Sequence, residues 1–278
     1  MSDERVSFAP GVDREAAIEQ ALTVLRREGV VVLDDLVDPA LLARAKAEIE
    51  ENEPDHARVD PVRNYGPYKG RHTAPMCVQG ALADRAIFLP KPIEKIAIEM
   101  LGNNFLVDSM GLLVSLPGAE DQRGHPDGTL FPEVRIEPML PCFALAFSMP
   151  LVPMDEVSGR TAFWRRSHRT MEAKGEHDYA PVVAPGSAIL WDFRTWHCGL
   201  ANRGERTRPV IYSVFSRYWW VEIHPPVATK YEKFLIARDV YDQFPPKLQR
   251  RVGRAKLVDG DQLVSAYEVG CGAIGVDL

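Results

Sequence analysis

The sequence predicts a mainly β fold with flanking α-helices, built as a single domain over residues 1–278. Up to residue 102 the apolar residues recur at helical spacing, whereas from 105 to 220 they fall in short runs separated by Pro, Gly and charged turns. Within 143–151 every second residue is large and apolar, which is the period of a strand with one buried face. About eight closely spaced strands of this kind are typical of a β-sandwich or barrel.

The N-terminal part, residues 13–102, is expected to form a helical layer packed on one sheet. Asp13 is a favourable N-cap, apolar residues at helical spacing follow it, and Gly29 ends the run. A β-branched strand, Val30–Leu33, comes next, and a second helix begins at Pro39, since proline suits the first helical position. A third helix is predicted over Ile93–Leu101.

The strands of the predicted β core, residues 105–220, are each bounded by turn residues. They are Phe105–Leu116, Thr129–Ile136, Phe143–Val152, Thr161–Arg165, Val182–Val183, Ala188–Phe193, Cys198–Ala201 and Arg208–Trp219. After them comes a C-terminal tail, residues 221–278, in which the spacing predicts a helix over Tyr231–Tyr241.

Composition and charge exclude several classes of protein. Hydrophobic residues make up 46% and charged residues 26%, which is ordinary for a globular domain. The net charge is −6, and the sequence contains no basic stripe, so we expect no nucleic-acid partner. The four cysteines form no CxxC pair, the first residues contain no apolar signal segment, and no apolar run approaches the roughly 20 residues of a membrane helix. These features favour a cytoplasmic protein without membrane contact.

A histidine and an aspartate two residues apart provide the first candidates for chemistry. In an extended segment alternate side chains point to the same side, so His125 and Asp127 can bind one metal ion together. His197, in a distant β-rich stretch, would complete a set of two histidines and one carboxylate. Such a set leaves three coordination positions open and is characteristic of non-haem Fe(II) oxygenases. A hydrogen-bonded turn and a structural histidine are the alternative interpretation.

An arginine, Arg208, follows His197 by eleven residues at the start of the last long strand. Its planar guanidinium is suited to binding a carboxylate through two hydrogen bonds. We therefore expect an α-keto acid to chelate the metal at one end and to reach Arg208 with its far carboxylate. A salt bridge at the end of a strand is the alternative.

In combination these residues resemble the phytanoyl-CoA dioxygenase family. Its members have a His-x-Asp motif, a distal histidine near the end of the β core, and an arginine eleven residues beyond it, and His125, Asp127, His197 and Arg208 match this pattern. The segment Ser158–Arg169 is similar to the family's Asn-Gly-…-Pro-Gly-Ser-His-Arg stretch, with the Asn and the Pro-Gly pair replaced.

The resemblance covers residues 13–220 and implies a double-stranded β-helix, a jelly-roll core of the cupin type. It implies an Fe(II)- and 2-oxoglutarate-dependent dioxygenase in which the triad holds the iron and O2 is the second co-substrate. The implied reaction is oxidation of an unactivated C–H bond in a small-molecule metabolite, such as a natural product, with release of succinate and CO2. Hydroxylation is the default outcome, and desaturation or rearrangement is left open. A homodimer is compatible with the resemblance.

Two further positions match one branch of the family, in which a Gln three residues before the proximal histidine and a Thr in the Asn-Gly segment lie near the co-substrate. Gln122 and Thr161 occupy these positions. The family's serine two residues after the distal histidine is Gly199 here. One hydrogen bond to the co-substrate carboxylate is therefore missing or supplied by another residue.

The segment 53–80 is rich in Pro and Gly and has no predicted secondary structure. Long loops of this kind are often functional, and its polar and aromatic residues favour a lid that faces the substrate. Tyr65, Arg71 and His72 are the candidate substrate contacts. A surface loop without a role is the alternative.

Two other functions are compatible with parts of the pattern. A non-catalytic cupin-like protein could bind a metal or ligand, but it would be expected to lack Arg208 or a member of the triad. A zinc-dependent cupin enzyme would need a general base and no clamp for a carboxylate.

Overall fold

The computed structural model describes residues 4–52, 70–131, 134, 136–220 and 234–259. The helices of these ranges are α1 (Arg14–Glu28), α2 (Pro39–Asn52), α3 (Arg85–Phe88), α4 (Lys91–Leu101), α5 (Arg238–Asp242) and α6 (Pro246–Arg251). The strands are β1 (Arg5–Ser7), β2 (Val30–Asp34), β3 (Arg71–Pro75), β4 (Cys77–Val78), β5 (Leu106–Ser115), β6 (Ala144–Pro150), β7 (Thr161–Phe163), β8 (Ala188–Asp192), β9 (His197–Gly199), β10 (Arg208–Ser216), β11 (Leu235–Ala237) and β12 (Lys256–Val258). None of the helices described is long and apolar enough to cross a membrane.

A seven-stranded sheet in the order β1-β2-β8-β6-β10-β5-β3 organises the molecule. One face packs on the N-terminal helices, because Leu145, Phe147 and Met149 of β6 share a buried cluster with Leu22 of α1 and Ile93 of α4. The alternating residues of β6 and its neighbours point the other way into a second buried cluster. The period of two in the sequence therefore separates a helix-covered face from an inner face.

The inner face is covered by the two-stranded sheet β7-β9 and closed at one end by aromatic side chains. Phe163 of β7 packs edge-on against Trp191 of β8, with ring centroids 5.5 Å apart. Trp220 contacts Phe143 and Phe193 at centroid distances of 5.9 and 5.2 Å, and all three rings are buried. The metal-ligand candidates lie inside this enclosure.

Helix α1 begins and ends as its sequence predicts. The Asp13 carboxylate accepts hydrogen bonds from the backbone N–H groups of Glu15 and Ala16. Gly29 ends the helix in the left-handed region at φ 80°, where a Cβ would also come within 2.4 Å of His168 Nδ1. Conformation and space thus both require glycine at this position.

The predicted strand over Thr129–Ile136 is wrong for the residues described there, which form turns. The backbone N–H groups of Leu130 and Phe131 donate to the buried carboxylate of Glu137, at 2.7 and 3.3 Å for Oε1. These donors are therefore satisfied locally and do not join a sheet. Val182–Val183 likewise makes only an isolated bridge from Val183 to Met154.

The predicted helix over Tyr231–Tyr241 is wrong over Leu235–Ala237 and confirmed over Arg238–Tyr241. Leu235–Ala237 forms β11, which pairs in parallel with both β4 and β12. Its three residues are buried, so the pairing on both sides outweighs their helical spacing. A short helix, α5, begins only at Arg238, and 231–233 lie outside the described residues.

Arg165 and Arg166 replace the family's Pro-Gly pair. Arg166 adopts a left-handed backbone conformation, which favours glycine. Arg166 has φ 66°, which is costly for a residue with a side chain. Its Nε donates to Glu28 Oε2 at 2.9 Å, and its backbone N–H donates to the Glu28 carbonyl at 2.7 Å. Glu28 is buried, and burial raises its pKa, but the hydrogen bonds from Arg166 and Arg27 outweigh this and leave the pKa below its ordinary value.

We expect Glu28→Gln to lower the free energy of unfolding by roughly 1–2 kcal/mol at neutral pH, because two charge-assisted hydrogen bonds from half-exposed arginines are weakened. The folded-state pKa of Glu28 lies below its ordinary value of 4.5. The stabilisation is therefore fully present above that value and is lost as the pH falls through the folded-state pKa. Urea unfolding between pH 3 and pH 7 measures the effect, with Glu19→Gln on the exposed face of α1 as control. A difference between Glu28→Gln and the wild type that does not change with pH would contradict it.

Candidate functional site

Two backbone hydrogen bonds bring the distant histidines together. The N–H of His125 donates to the carbonyl of His197 at 3.0 Å, and the N–H of His197 donates back at 2.9 Å. This antiparallel bridge places the two side chains on the same face, with ring centroids 4.7 Å apart. The N–H of Asp127 donates to the carbonyl of Phe193 at 3.0 Å, so the His-x-Asp segment runs beside the chain that leads into β9.

Both imidazoles are oriented by the carbonyl two residues earlier in the chain. His125 Nδ1 lies 2.8 Å from the carbonyl oxygen of Arg123, and His197 Nδ1 lies 3.0 Å from that of Thr195. A carbonyl oxygen only accepts, so each Nδ1 is the protonated nitrogen and each Nε2 carries the lone pair in the neutral ring. This is the arrangement in which a histidine presents Nε2 to a metal.

The carboxylate of Asp127 completes the group. Asp127 Oδ1 lies 3.4 Å from His197 Nε2, and the candidate ligand atoms of all three residues lie within 4.8 Å of one another. On its other oxygen, Oδ2, the carboxylate accepts hydrogen bonds from Trp191 Nε1 at 3.2 Å and from the Tyr212 hydroxyl at 3.1 Å. Among the residues described, no other group of three histidine, cysteine or acidic side chains meets the same distance criterion.

The charges of the three side chains are strongly coupled. Burial raises the pKa of Asp127, but the nearby His197 and His125 outweigh it and leave this pKa below its ordinary range. Burial lowers the pKa of His197, but the Asp127 carboxylate raises it above 6.5. For His125, burial and the charge of His197 both lower the pKa. The donor set of two neutral imidazoles and one ionised carboxylate fits Fe(II).

Arg208, at the start of β10, is a buried cation. Its Nε donates to the Ser158 carbonyl at 3.2 Å, and its Nη1 lies 3.7 Å from the sulfur of Met154. Within the described part of the chain no carboxylate lies within 4 Å of its guanidinium. Burial, and next the charge of Arg71, lower the pKa of Arg208 to about 9. A bound carboxylate would compensate this charge.

A second buried arginine lies in the same row of the large sheet. Ser115 of β5 pairs with Arg208 on one side and with Arg71 of β3 on the other. Residues directly opposite one another on adjacent strands share a face, so all three side chains point inward. Arg71 donates to the carbonyls of Glu120 and Leu200 at 3.0 and 2.5 Å. The Ser115 hydroxyl is buried and has no hydrogen-bond partner among the described residues.

The guanidinium of Arg71 occupies the space that a side chain at position 199 would need. A Cβ built on Gly199 would lie 2.7 Å from Arg71 Nη1 and 2.8 Å from Gln122 Oε1. The Gln122 Oε1 atom accepts a hydrogen bond from the Gly199 N–H at 2.8 Å. Where the family has a serine, this chain therefore has glycine with an arginine packed against it.

Thr161 lies on the same side of the enclosure. It pairs with Gly199 across the β7-β9 sheet, and its hydroxyl lies 3.9 Å from the Met154 sulfur that also contacts Arg208. The structure thus brings both residues of the predicted branch, Gln122 and Thr161, to the region between the histidines and Arg208.

Of the remaining candidates for the substrate site, His72 is not brought to it. His72 pairs with Val114, whose side chain lies in the helix-covered cluster, so it points to the face opposite Arg71. Tyr65 and the rest of 53–69 lie outside the described residues. Cys198, next to His197, is buried on the other face of β9, and burial raises its thiol pKa to about 11.

Sequence reasoning missed three inward-facing residues. The indole N–H of Trp191 donates to Asp127, and no motif of the sequence indicated this contact. Tyr212 shares a face with Arg208 because it follows it by four residues in one strand, a signal that the sequence contained. Ser115 could not be found, because its place depends on the register of three strands.

The comparisons with known proteins agree with this fold and donor set. The chain is 19% identical, at a TM-score of 0.57, to the crystal structure of the non-heme alpha ketoglutarate dependent epimerase SnoN from nogalamycin biosynthesis, covering 73% of this chain and 82% of that one. It matches HygX from Streptomyces hygroscopicus, solved with nickel and 2-oxoglutarate bound, at 12% identity and a TM-score of 0.60 over 79% of this chain and 92% of that one. It is 24% identical over 247 residues to the dioxygenase trt7 of Aspergillus terreus (strain NIH 2624 / FGSC A1156), covering 84% of this chain and 83% of that protein.

The double-stranded β-helix predicted from the sequence is confirmed, and the protein is a non-haem, Fe(II)- and 2-oxoglutarate-dependent oxygenase. The profile of the family Phytanoyl-CoA dioxygenase (PhyH) matches residues 25–210. The chain belongs to this family.

We expect the apparent affinity for Co(II), an oxygen-stable substitute for Fe(II), to fall about tenfold per pH unit below the raised pKa of His197. The reason is that Nδ1 keeps its proton toward Thr195, so the proton beside Asp127 must leave Nε2 before a metal binds. Titration of the metal-free protein with Co(II) between pH 5.5 and pH 8 measures this dependence. An affinity that does not change over this range would contradict the assigned protonation states.

Proposed function

We propose that His125, Asp127 and His197 bind the Fe(II) ion, and that Arg208 and Arg71 hold the two ends of 2-oxoglutarate. The support for the metal ligands is the pair of oriented Nε2 atoms beside one ionised carboxylate. Bound together, Fe(II), 2-oxoglutarate and O2 supply an oxidant for unactivated C–H bonds and release succinate and CO2. The chain itself binds, orients and excludes water from these groups.

The single observation that carries the proposal is the row Arg71–Ser115–Arg208. Two buried guanidinium groups share one face of the sheet, and the pKa of Arg208 is lowered by burial and next by the charge of Arg71. Burying such charges without an anion is costly. A dicarboxylate between them would compensate both, and the Ser115 hydroxyl would donate to one of its oxygens.

The two ends of the co-substrate have different surroundings in this arrangement. Gly199, against which Arg71 packs, shares a face of β9 with the ligand His197. We therefore assign Arg71 and Gln122 to the keto-acid end at the metal. Arg208 receives the far carboxylate, with Thr161 beside it. Arg208 lies four residues before Tyr212 in β10, and the Tyr212 hydroxyl donates to Asp127. Four residues of strand span roughly 13 Å along the backbone, which leaves room for a five-carbon diacid.

The substrate is a small-molecule metabolite, and we propose hydroxylation of a C–H bond as the reaction. SnoN, which shares this fold, is an epimerase, and this supports desaturation or rearrangement as further outcomes of the same site. A natural product is the substrate class that the likeness to SnoN, from nogalamycin biosynthesis, supports. The predictions of a homodimer, of a single domain and of a cytoplasmic location stay predictions.

The arginine row also weighs against the two other functions. A cupin-like binding protein or a zinc-dependent cupin enzyme has no use for two buried cations that face a metal group. Metal analysis and the dependence of turnover on O2 separate these cases, since only the oxygenase consumes both O2 and 2-oxoglutarate.

We expect His197→Ala to abolish the weak visible charge-transfer band that forms when the protein is mixed with Fe(II) and 2-oxoglutarate without oxygen. Succinate release in air should be lost as well, because one of three ligands is removed. His177→Ala, an exposed histidine outside the triad, is the control and should keep both signals. If His197→Ala keeps the band and the succinate, the metal assignment is wrong.

A double-mutant cycle tests the role of Arg71. Gly199→Ser restores the family's residue, but its Cβ displaces Arg71 and Gln122, so we expect 2-oxoglutarate to bind roughly tenfold more weakly, equivalent to about 1.4 kcal/mol. In Arg71→Ala the same serine no longer meets the guanidinium and has to displace only the end of the Gln122 side chain, so it should restore part of the lost affinity. The affinity for 2-oxoglutarate is measured by anaerobic titration, followed through the charge-transfer band. The wild type, the two single variants and the double variant are compared, with Cys198→Ser as control. Additive effects would contradict the proposal that Arg71 replaces the serine.

A further inference from the structure

Two aromatic side chains share a single oxygen of the metal-ligand candidate Asp127. The indole N–H of Trp191 and the hydroxyl of Tyr212 donate to Oδ2 at 3.2 and 3.1 Å. The other oxygen, Oδ1, faces His197 Nε2 at 3.4 Å. The two oxygens of this carboxylate therefore have different tasks, one toward the histidines and one toward the wall of the sheet.

The sheet fixes both donors in place. Trp191 of β8 and Tyr212 of β10 lie on either side of β6 on the inner face, with ring centroids 5.9 Å apart. Between them β6 contributes the small residues Ala146 and Ser148, which pair with Trp191 and Tyr212 respectively. Trp191 is 2% exposed and also packs against Phe163. Packing therefore holds the Trp191 indole against the wall of the sheet, and strand pairing places the Tyr212 ring beside it.

We propose that Trp191 and Tyr212 are positioning residues that restrict Asp127 to binding the metal through one oxygen. This inference rests on the proposed metal site. Two hydrogen bonds on Oδ2 stabilise the charge of that oxygen and occupy the directions from which it would approach the ion. The carboxylate then presents Oδ1 alone.

The number of Asp127 oxygens bound to the metal determines how many coordination positions remain for the co-substrates. Two imidazoles and one carboxylate oxygen would leave three positions of a bound Fe(II) open, enough for a chelating keto acid and for O2. If Oδ2 also bound, only two positions would remain. The keto acid and the second carboxylate oxygen would then compete for the same place. The hydroxyl and the indole N–H thus protect a coordination position without touching the ion.

The test uses Tyr212→Phe, Trp191→Phe and the double variant, which keep an aromatic ring at each position and remove the hydrogen-bond donors. At saturating Co(II) we expect 2-oxoglutarate to bind about tenfold more weakly in each single variant and still more weakly in the double variant, because Oδ2 has to be displaced. Crystal structures of the Co(II) forms should show both Asp127 oxygens within bonding distance in the double variant and one in the wild type. The visible Co(II) spectrum reports the same change in coordination.

Tyr179→Phe is the matched control, since Tyr179 packs on the same Phe163 ring, with centroids 6.5 Å apart. It should leave Co(II) and 2-oxoglutarate binding unchanged. Melting temperatures distinguish a loss of packing from a change in coordination, because a loss of packing lowers stability without changing the metal–oxygen distances. One bound Asp127 oxygen in the double variant, with unchanged 2-oxoglutarate affinity, would overturn the inference while leaving the metal site intact. Failure of the wild type to bind Co(II) would instead overturn the proposed function, and the inference with it.

Discussion

The pair of backbone hydrogen bonds between His125 and His197 is the constraint on which the site depends. It joins the His-x-Asp segment, which precedes the β7-β9 sheet, to β9, about seventy residues later in the chain. It also fixes the two imidazole rings side by side. Asp127 follows in register, and β9 then presents Gly199 to Arg71. Ligand geometry is therefore a property of main-chain pairing, which few side-chain substitutions alter.

The two faces of the large sheet have different residues and different neighbours. The outward residues of β6 are bulky and meet the helices, whereas its inward residues, Ala146 and Ser148, are small. Small residues in the middle strand leave space for the aromatic and cationic side chains of the neighbouring strands. An enclosure that excludes water follows from this alternation, together with the aromatic rings that close one end.

The parts of the site that could be predicted are those that local geometry controls. His125 and Asp127 are two residues apart in extended chain, and Arg208 begins a recognisable strand, so their orientation follows from the sequence. Ser115 and the inward position of Arg71 depend on register between strands distant in sequence, which no local pattern encodes. The two wrong elements have the same origin, since the Glu137 carboxylate and the pairing of β11 are tertiary interactions.

Arg71 begins β3, the outermost strand of the large sheet, which pairs only with β5 among the described residues. An edge strand is attached by hydrogen bonds along one side, so it is among the parts that open most readily. If a dicarboxylate is held by Arg71 on this strand and by Arg208 on β10, as proposed above, the anion links the edge strand to the interior of the sheet across β5. Co-substrate binding would then be coupled to the local folding of β3, and the free energy of one would contribute to that of the other.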